Sequence, residues 1–329
     1  MGAELKGTMN HSLRARLMLS ASMAIFGTLS VFVRNIPLAS GELALYRAVL
    51  AALLIGGYLL LTRQKLDLAG IRRELLLLLL SGVAMGFNWI LLFQAYRYTT
   101  VSVATLSYYF APVIVTVLSP VLFHEKLSRR QIVCFVMSTV GLVLVIGVTD
   151  LARGDSHFTG ILFGLGAAVL YATVILLNKS IRNISGIHRT FLQFLAAILV
   201  LIPYVACTGG FHLAGMPALG WGCLLVVGLF HTGVTYCMYF SALKELSGQE
   251  ASILSYIDPL VAVVISVLVL HEPITASQLA GGILILGFAL WNECAAAWQF
   301  AARRKFFFRQ AVFLFGPGEN TVDIHSPFR

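Results

Sequence analysis

The sequence predicts an all-α polytopic membrane protein: ten transmembrane helices arranged as two inverted five-helix repeats. Composition, the spacing of apolar runs and an internal self-match predict it. Of 329 residues, 59% are hydrophobic and 11% charged, with a mean hydropathy of +0.88; soluble domains run about 25% charged and about half apolar. The 23 Lys and Arg against 14 Asp and Glu leave a formal charge of +9. These basic residues fall in short gaps between apolar runs instead of covering one water-facing surface. They point to cytoplasmic loops, and no nucleic-acid partner is expected. Collagen-like, disordered and disulfide-scaffold classes are excluded as well. Cys134, Cys207, Cys223, Cys237 and Cys294 lie in apolar segments without CxxC or paired metal spacing. They read as small buried hydrophobes, and neither a metal nor a cofactor is expected.

A span needs about 20 mostly apolar residues. Such runs fall at 13–33, 42–61, 75–95, 102–123, 131–148, 160–178, 190–207, 219–240, 250–270 and 278–297. The first follows only a dozen residues and precedes no cleavage site with a polar mature domain, so it reads as a retained helix and not a signal peptide. The second carries Glu42 and Arg47 near its outer end, where Arg can snorkel and pair with Glu. Spans three, four and five are separated only by 96–101 and 124–130, which requires tight antiparallel hairpins. Pro112 in span four and Pro259 in span nine each remove a backbone hydrogen bond and bend their helices; a kink beside a cavity and a kink in inert packing both fit. Ser128 and Thr275 stand where an N-cap opens spans five and ten.

Charge fixes the orientation. With the N-terminus in the cytoplasm, 19 of the 23 basic residues lie inside and three outside (Arg34, Arg97, Arg153), with Arg47 within a span. The positive-inside rule therefore places both termini in the cytoplasm. The expected division is a cytoplasmic N-terminus 1–12, a first repeat 13–148, an extracytoplasmic linker 149–159, a second repeat 160–297 and a basic cytoplasmic tail 298–329.

The chain matches itself at an offset of 147, with Phe93/Phe240, Tyr109/Tyr256, Pro112/Pro259, His124/His271, Glu125/Glu272 and Gln131/Gln278 in one register. A gap would instead pair Tyr108 with Tyr256. Near the start of each half the offset is 145, as in Thr28/Thr173 and Gly41/Gly186. Five spans per half put the halves in opposite orientations, the inverted repeat of many transporters. The run from Ala95 through Ser102, Ala104 and Pro112 to His124-Glu125-Lys126-Leu127-Ser128 and Gln131 resembles the EamA-type motif of the drug/metabolite transporter superfamily. Its second copy runs from Ala242 through Ala251-Ser252 and Pro259 to His271-Glu272-Pro273-Ile274-Thr275, Gln278 and Gly281-Gly282. The resemblance covers roughly 15–148 and 160–291. Family members usually carry Gly where His124 and His271 stand. The resemblance implies ten helices in two inverted units and export of small metabolites, such as amino acids, sugars, nucleosides or drugs.

The His-Glu turns at 124–131 and 271–278 read as structural, and nothing resembles HExxH. Asp258 is the most informative residue. It lies about nine positions into span nine, where an ionised carboxylate costs at least ~2.5–3.5 kcal/mol. Its repeat partner is Ala111, so the fold itself does not require an acid there. Either it accepts at the kink before Pro259, or it binds a substrate cation or proton. The same asymmetry singles out His231, opposite Ala84; Arg47, opposite Leu192; and Glu42, opposite Ile187. His231 has a titration range suited to proton exchange, and a hydrogen-bonded packing role fits equally. Glu293 sits near the cytoplasmic end of span ten. Asn88, Trp89, Tyr108, Tyr109, Tyr171, Tyr236 and Tyr256 lie mid-span and are cavity candidates, since lipid would leave their polar atoms unpaired. Gln94, Asn178, Gln193 and Tyr239 are further polar groups at depth. The tail from Trp298 pairs Arg303-Arg304-Lys305 with Phe306-Phe307-Phe308-Arg309, an interfacial segment suited to anionic lipid.

A secondary transporter in the plasma (inner) membrane follows from this reading. No phosphate-cradling loop is present to use ATP directly. The expected partners are a small-molecule substrate and the lipid bilayer, with protons through Asp258 or His231 as the candidate coupling ion and a homodimer as a candidate assembly. A channel or a membrane-embedded enzyme is the alternative. The first would need pore-lining polar stripes and the second a converging catalytic cluster, and the sequence carries neither.

Overall fold

A computed structural model of the chain describes residues 2–64, 72–123, 128–146, 156–181, 183–184, 186–243, 245–246, 251 and 254–292. Among them the regular structure is entirely helical. In chain order the helices are α1 (Gly2–Gly27), α2 (Leu29–Val33), α3 (Ser40–Leu61), α4 (Leu75–Tyr98), α5 (Val101–Tyr108), α6 (Ala111–Phe123), α7 (Arg129–Ile146), α8 (Ser156–Ser180) and α9 (Gly186–Thr208). After a 3-10 turn at Leu213–Gly215 come α10 (Ala218–Leu225), a π-helical stretch (Val226–Val234), α11 (Thr235–Leu243), α12 (Ile257–Leu268) and α13 (Ala276–Asn292). Among the described residues seven stretches are long and apolar enough to cross a membrane: Leu13–Val33, Ser40–Leu61, Leu75–Tyr98, Val101–Leu118, Ser156–Ser180, Gly186–Thr208 and Ala218–Ala242. The three other expected spans hold α7, α12 and α13.

Large apolar side chains cover the outside: Leu53, Leu60, Leu76, Leu199, Ile283 and Trp291 are all exposed. Apolar surface on this scale marks a bilayer-facing wall. The core lies between α3, α4, α9 and the span of α10 and α11, where Leu43, Ala48, Ile55, Phe93 and Phe194 are buried.

Helix pairing repeats across the halves. α1 packs on α11 and α12, while α8 packs on α4, α5 and α6; α3 packs on the π-helical stretch, while α9 packs on α4. Exchanging the first five spans with the second five maps each of these pairs onto its counterpart. The pairs α3–α9 and α5–α12 map onto themselves. α7 and α13 approach backbone to backbone, since a Cβ on Gly281 would lie 2.4 Å from the Gly141 carbonyl oxygen. Only glycine permits that approach, a packing device typical of membrane helices.

The caps behave as the sequence suggests. Ser128 Oγ accepts the Gln131 N–H at 3.3 Å while Gln131 Oε1 accepts the Ser128 N–H at 2.8 Å. Thr275 and Gln278 do the same at 3.2 and 3.0 Å. These are capping boxes with Gln as the returning arm. His271 has φ 53, the left-handed region that glycine occupies without cost. That is the physical reason for the usual family Gly at this turn, and His is among the residues that tolerate the conformation. His124, Glu125, Lys126, Glu293, Cys294, Ser252 and the basic tail lie outside the described residues.

Polar ties close the end of the bundle that holds the 34–40 and 209–217 connections. Glu272 takes hydrogen bonds from Arg34, from Ser266 Oγ and, at 2.8 Å, from the Val101 N–H. Ser266 Oγ also accepts the Ser102 N–H at 3.2 Å, so two orphan donors of α5 are satisfied, one by Glu272 in the connection before α13 and one by Ser266 in α12. Arg97 donates to the Leu38 carbonyl, and Ser40 donates to Gln94 at 2.7 Å. At the other end Gln193 bonds Ser81 at 2.6 Å and Asn178 at 2.8 Å. Gln94, Asn178 and Gln193 are therefore helix-to-helix ties.

Candidate substrate site

Two helices are interrupted at equivalent places. Span four breaks at Tyr109 and Phe110 between α5 and α6, and span nine turns at Tyr256 just before α12. Tyr109 and Tyr256 are partners at the ungapped offset of 147. Pro112 and Pro259 each stand in the first turn after the break, and a proline disturbs the turn that precedes it. Breaks at this depth are tolerated where the freed backbone is covered by protein or lines a cavity.

Asp258 is the second residue of α12, and the positive end of the helix dipole favours a carboxylate there. Its Oδ2 accepts the Tyr109 hydroxyl at 2.5 Å. No side chain caps α12 at Tyr256, so the bond in view joins the two interrupted spans. Tyr109 stands edge-on to Tyr108 at 5.5 Å, and Tyr108 stacks on Tyr171 at 5.1 Å. Tyr236 sits edge-on to Phe26 and Phe194, at 5.2 and 5.5 Å, and Phe194 meets Trp89 at 5.4 Å. Four sequence candidates (Asp258, Tyr108, Tyr109, Tyr171) therefore share one cluster, and Tyr236 and Trp89 line an adjoining aromatic wall.

The other candidates are placed differently. Asn88 donates its amide to the Ala167 carbonyl at 2.6 Å, fastening α4 to α8. Tyr256 faces a small crevice with Pro112, Val113, Thr116, Cys134 and Ala289. His231 lies in the π-helical stretch against Phe32. His231 Nδ1 lies 3.3 Å from the Val226 carbonyl, which can only accept, and Nε2 lies 3.0 Å from the Thr28 hydroxyl, which is itself 2.8 Å from the Ile25 carbonyl. Cys134 and Cys223 are buried as expected, but Cys207 is exposed near the end of α9. Among the described residues no group of three His, Cys, Asp or Glu is arranged to hold a metal.

The sequence reading misplaces one residue. Arg47 does not snorkel to Glu42. Five positions apart on a helix, the two point about 140° from each other. Glu42 turns to the His212 N–H, at 2.7 Å, while Arg47 is buried at 4% exposure and gives its Nε–H to Thr232 Oγ1 at 2.7 Å. Thr232 passes its own proton to the Val227 carbonyl at 2.7 Å, five residues back, a bond the wider π-helical turn supplies. The guanidinium lies 4.7 Å above the Trp89 ring and 5.7 Å from Phe93, a cation–π seat. Tyr96, Tyr108, Tyr236 and Asp258 are the groups that share its electrostatic surroundings. The asymmetry with Leu192 was the available signal.

The profile of the EamA-like transporter family matches residues 13–147 and 158–292. The chain belongs to the EamA-like transporter family. It is a multi-pass membrane transporter, and the two matched segments are the family's two repeats. An uncharacterized transporter, YxxF, of Bacillus subtilis (strain 168) is 32% identical over 249 residues, 74% of this chain and 78% of that one. An uncharacterized transporter of Archaeoglobus fulgidus is 29% identical, covering 85% of this chain and 96% of its own. Protein PecM of Dickeya dadantii (strain 3937) is 27% identical over 64% of this chain and 70% of its own. A crystal structure at 15% identity superposes with a TM-score of 0.58 over 84% of this chain and 95% of its own, a likeness of fold alone.

Proposed function

We propose that this EamA-like protein is a secondary transporter of the plasma membrane that exports a small metabolite by alternating access. Its ten spans form two inverted five-helix repeats, and both termini face the cytoplasm. The observation that carries this reading is the hydrogen bond from Tyr109 to Asp258, which joins two helices interrupted at equivalent positions in the two halves. Interrupted helices meeting at a repeat interface are the usual architecture of secondary-transporter binding sites. The reciprocal helix pairing supports a two-fold relation that rocking of one repeat against the other requires. The bias of 19 basic residues to three supports the orientation. In that orientation the Arg34–Glu272 end is the outer end and the Gln193 end the inner one.

Proteoliposomes test the reading directly. Saturable counterflow of an amino acid, nucleoside or sugar is the expected result; unsaturable conductance would identify a channel, and a chemically altered product an enzyme. The orientation has its own check, in a background with the native cysteines replaced. A membrane-impermeant thiol reagent should reach a Cys at Ser277 only from outside and a Cys at Ser128 only from the cytoplasm. Labelling of both from one side removes the inverted repeat.

A further inference from the structure

Arg47 holds a buried charge that the protein's own acids leave open. Its Nε–H is committed to Thr232, but Nη1 is sealed from solvent and has no hydrogen-bond partner. Among the described residues no carboxylate lies in ion-pair distance of it, since the bridges there are Arg34–Glu272 and His212–Glu42. Asp258, the acid sharing its surroundings, is occupied by Tyr109. The Trp89 and Phe93 faces offset part of the charge but accept no N–H in its plane. A guanidinium buried without an anion is costly, and such groups are normally paired. Nη1 is an N–H donor free to meet a carboxylate oxygen.

We propose that Arg47 is the anchor for a carboxylate group carried by the transported solute. The inference rests on the transporter reading in one respect: Nη1 is sealed in this conformation, so a solute reaches it only when the spans part. On arrival the carboxylate becomes the partner that Nη1 lacks. The aromatic wall of Trp89, Tyr236 and Phe194 takes the adjoining apolar part. Asp258 stays with Tyr109 at the break between α5 and α6, and the solute adds one negative charge to a site that holds one of each sign. Thr232 and the π-helical turn position the guanidinium by fixing Nε.

The test uses the full-length purified protein and reads binding, not flux. Its probes are pyruvate, benzoate and 3-phenylpropionate, each beside its own amide. At least one acid should raise the melting temperature and quench tryptophan fluorescence at concentrations where its amide does neither, Trp89 being the reporter. Arg47→Gln should lose the preference of acid over amide at least tenfold. Arg47→Met, which removes the unpaired charge and keeps an unbranched apolar stem, should melt no lower than the wild type. A merely structural arginine predicts the opposite, a lower melting temperature with any acid preference retained. The inference is overturned if no acid outperforms its amide, or if Arg47→Gln keeps the preference. If a neutral solute shows saturable counterflow while no acid binds, the carboxylate anchor fails and the transporter stands. If acids bind through Arg47 without any flux, the transporter reading fails and the anion site stands.

Discussion

Asp258→Asn is expected to reach the membrane at near-normal abundance and to lose most transport. The substitution is nearly isosteric, and the Asn carbonyl still accepts the Tyr109 hydroxyl that Asp258 takes at 2.5 Å. The link between the interrupted spans therefore survives, while the charge at the first turn of α12 does not. A hydrogen bond to a charged group contributes about 1.5–3 kcal/mol, so losing one to a substrate cation or proton lowers transport by about 10- to 150-fold. Asp258→Ala should transport as poorly and be only modestly less stable, because α12 has no side-chain cap at its start to lose. Tyr109→Phe leaves the carboxylate but removes its donor, and its transport should fall between that of Asp258→Asn and the wild type. Where protons are the coupling ion, Asp258→Asn also flattens the pH dependence between about pH 5.5 and 8, the range in which a perturbed carboxylate or histidine titrates. Rates must be compared at equal membrane abundance, since a misfolded variant mimics an inactive one. Normal transport by Asp258→Asn across that range would reduce Asp258 to a local link between α5 and α12.

What the sequence discloses and what it hides divide along a physical line. Apolar runs of spanning length are a local property, so the positions of the helices were legible. The caps at Ser128 and Thr275 were legible for the same reason, because a capping box is complete within four residues. The breaks were only half legible. Pro112 and Pro259 announce an irregularity, but a proline disturbs the turn before itself, so the interruptions fall at Tyr109–Phe110 and Tyr256. Arg47 was read with Glu42 because the two are neighbours in the chain. Its real partners, Trp89 and Thr232, come from α4 and a π-helical turn that hydrophobic periodicity does not reveal. The same limit hid the role of Glu272. A His-Glu turn looks self-contained, whereas Arg34 lies 238 residues away.

Glu272→Ala should therefore be among the most damaging changes outside the substrate site. Its side chain is 8% exposed and takes hydrogen bonds from Arg34, the Val101 N–H and Ser266. Truncation strands all three. The Val101 N–H becomes a buried orphan at the start of α5, and Ser266 loses the acceptor that holds it under the Ser102 N–H. Leaving one buried donor unpaired costs about 1–3 kcal/mol. The Arg34 pair adds less than a buried bridge would, because that side chain is 35% exposed and screened by water. The sum expected is about 2–4 kcal/mol, lowering the melting temperature of the purified protein by several degrees. Glu272→Gln keeps an acceptor for Val101 and drops the charge, so it should melt between Glu272→Ala and the wild type. Transport reads out a second consequence. The tie joins the end of span one, the start of span four and the connection between spans nine and ten, so under the proposed alternating access and orientation it opens whenever that end admits or releases solute. Weakening it by Glu272→Gln should favour the outward-open state and speed the labelling of a buried Cys at Ser102 by an external thiol reagent. Labelling at the wild-type rate, with an unchanged melting temperature for Glu272→Ala, would show that the outer end is held shut by apolar packing and that Glu272 is only a cap.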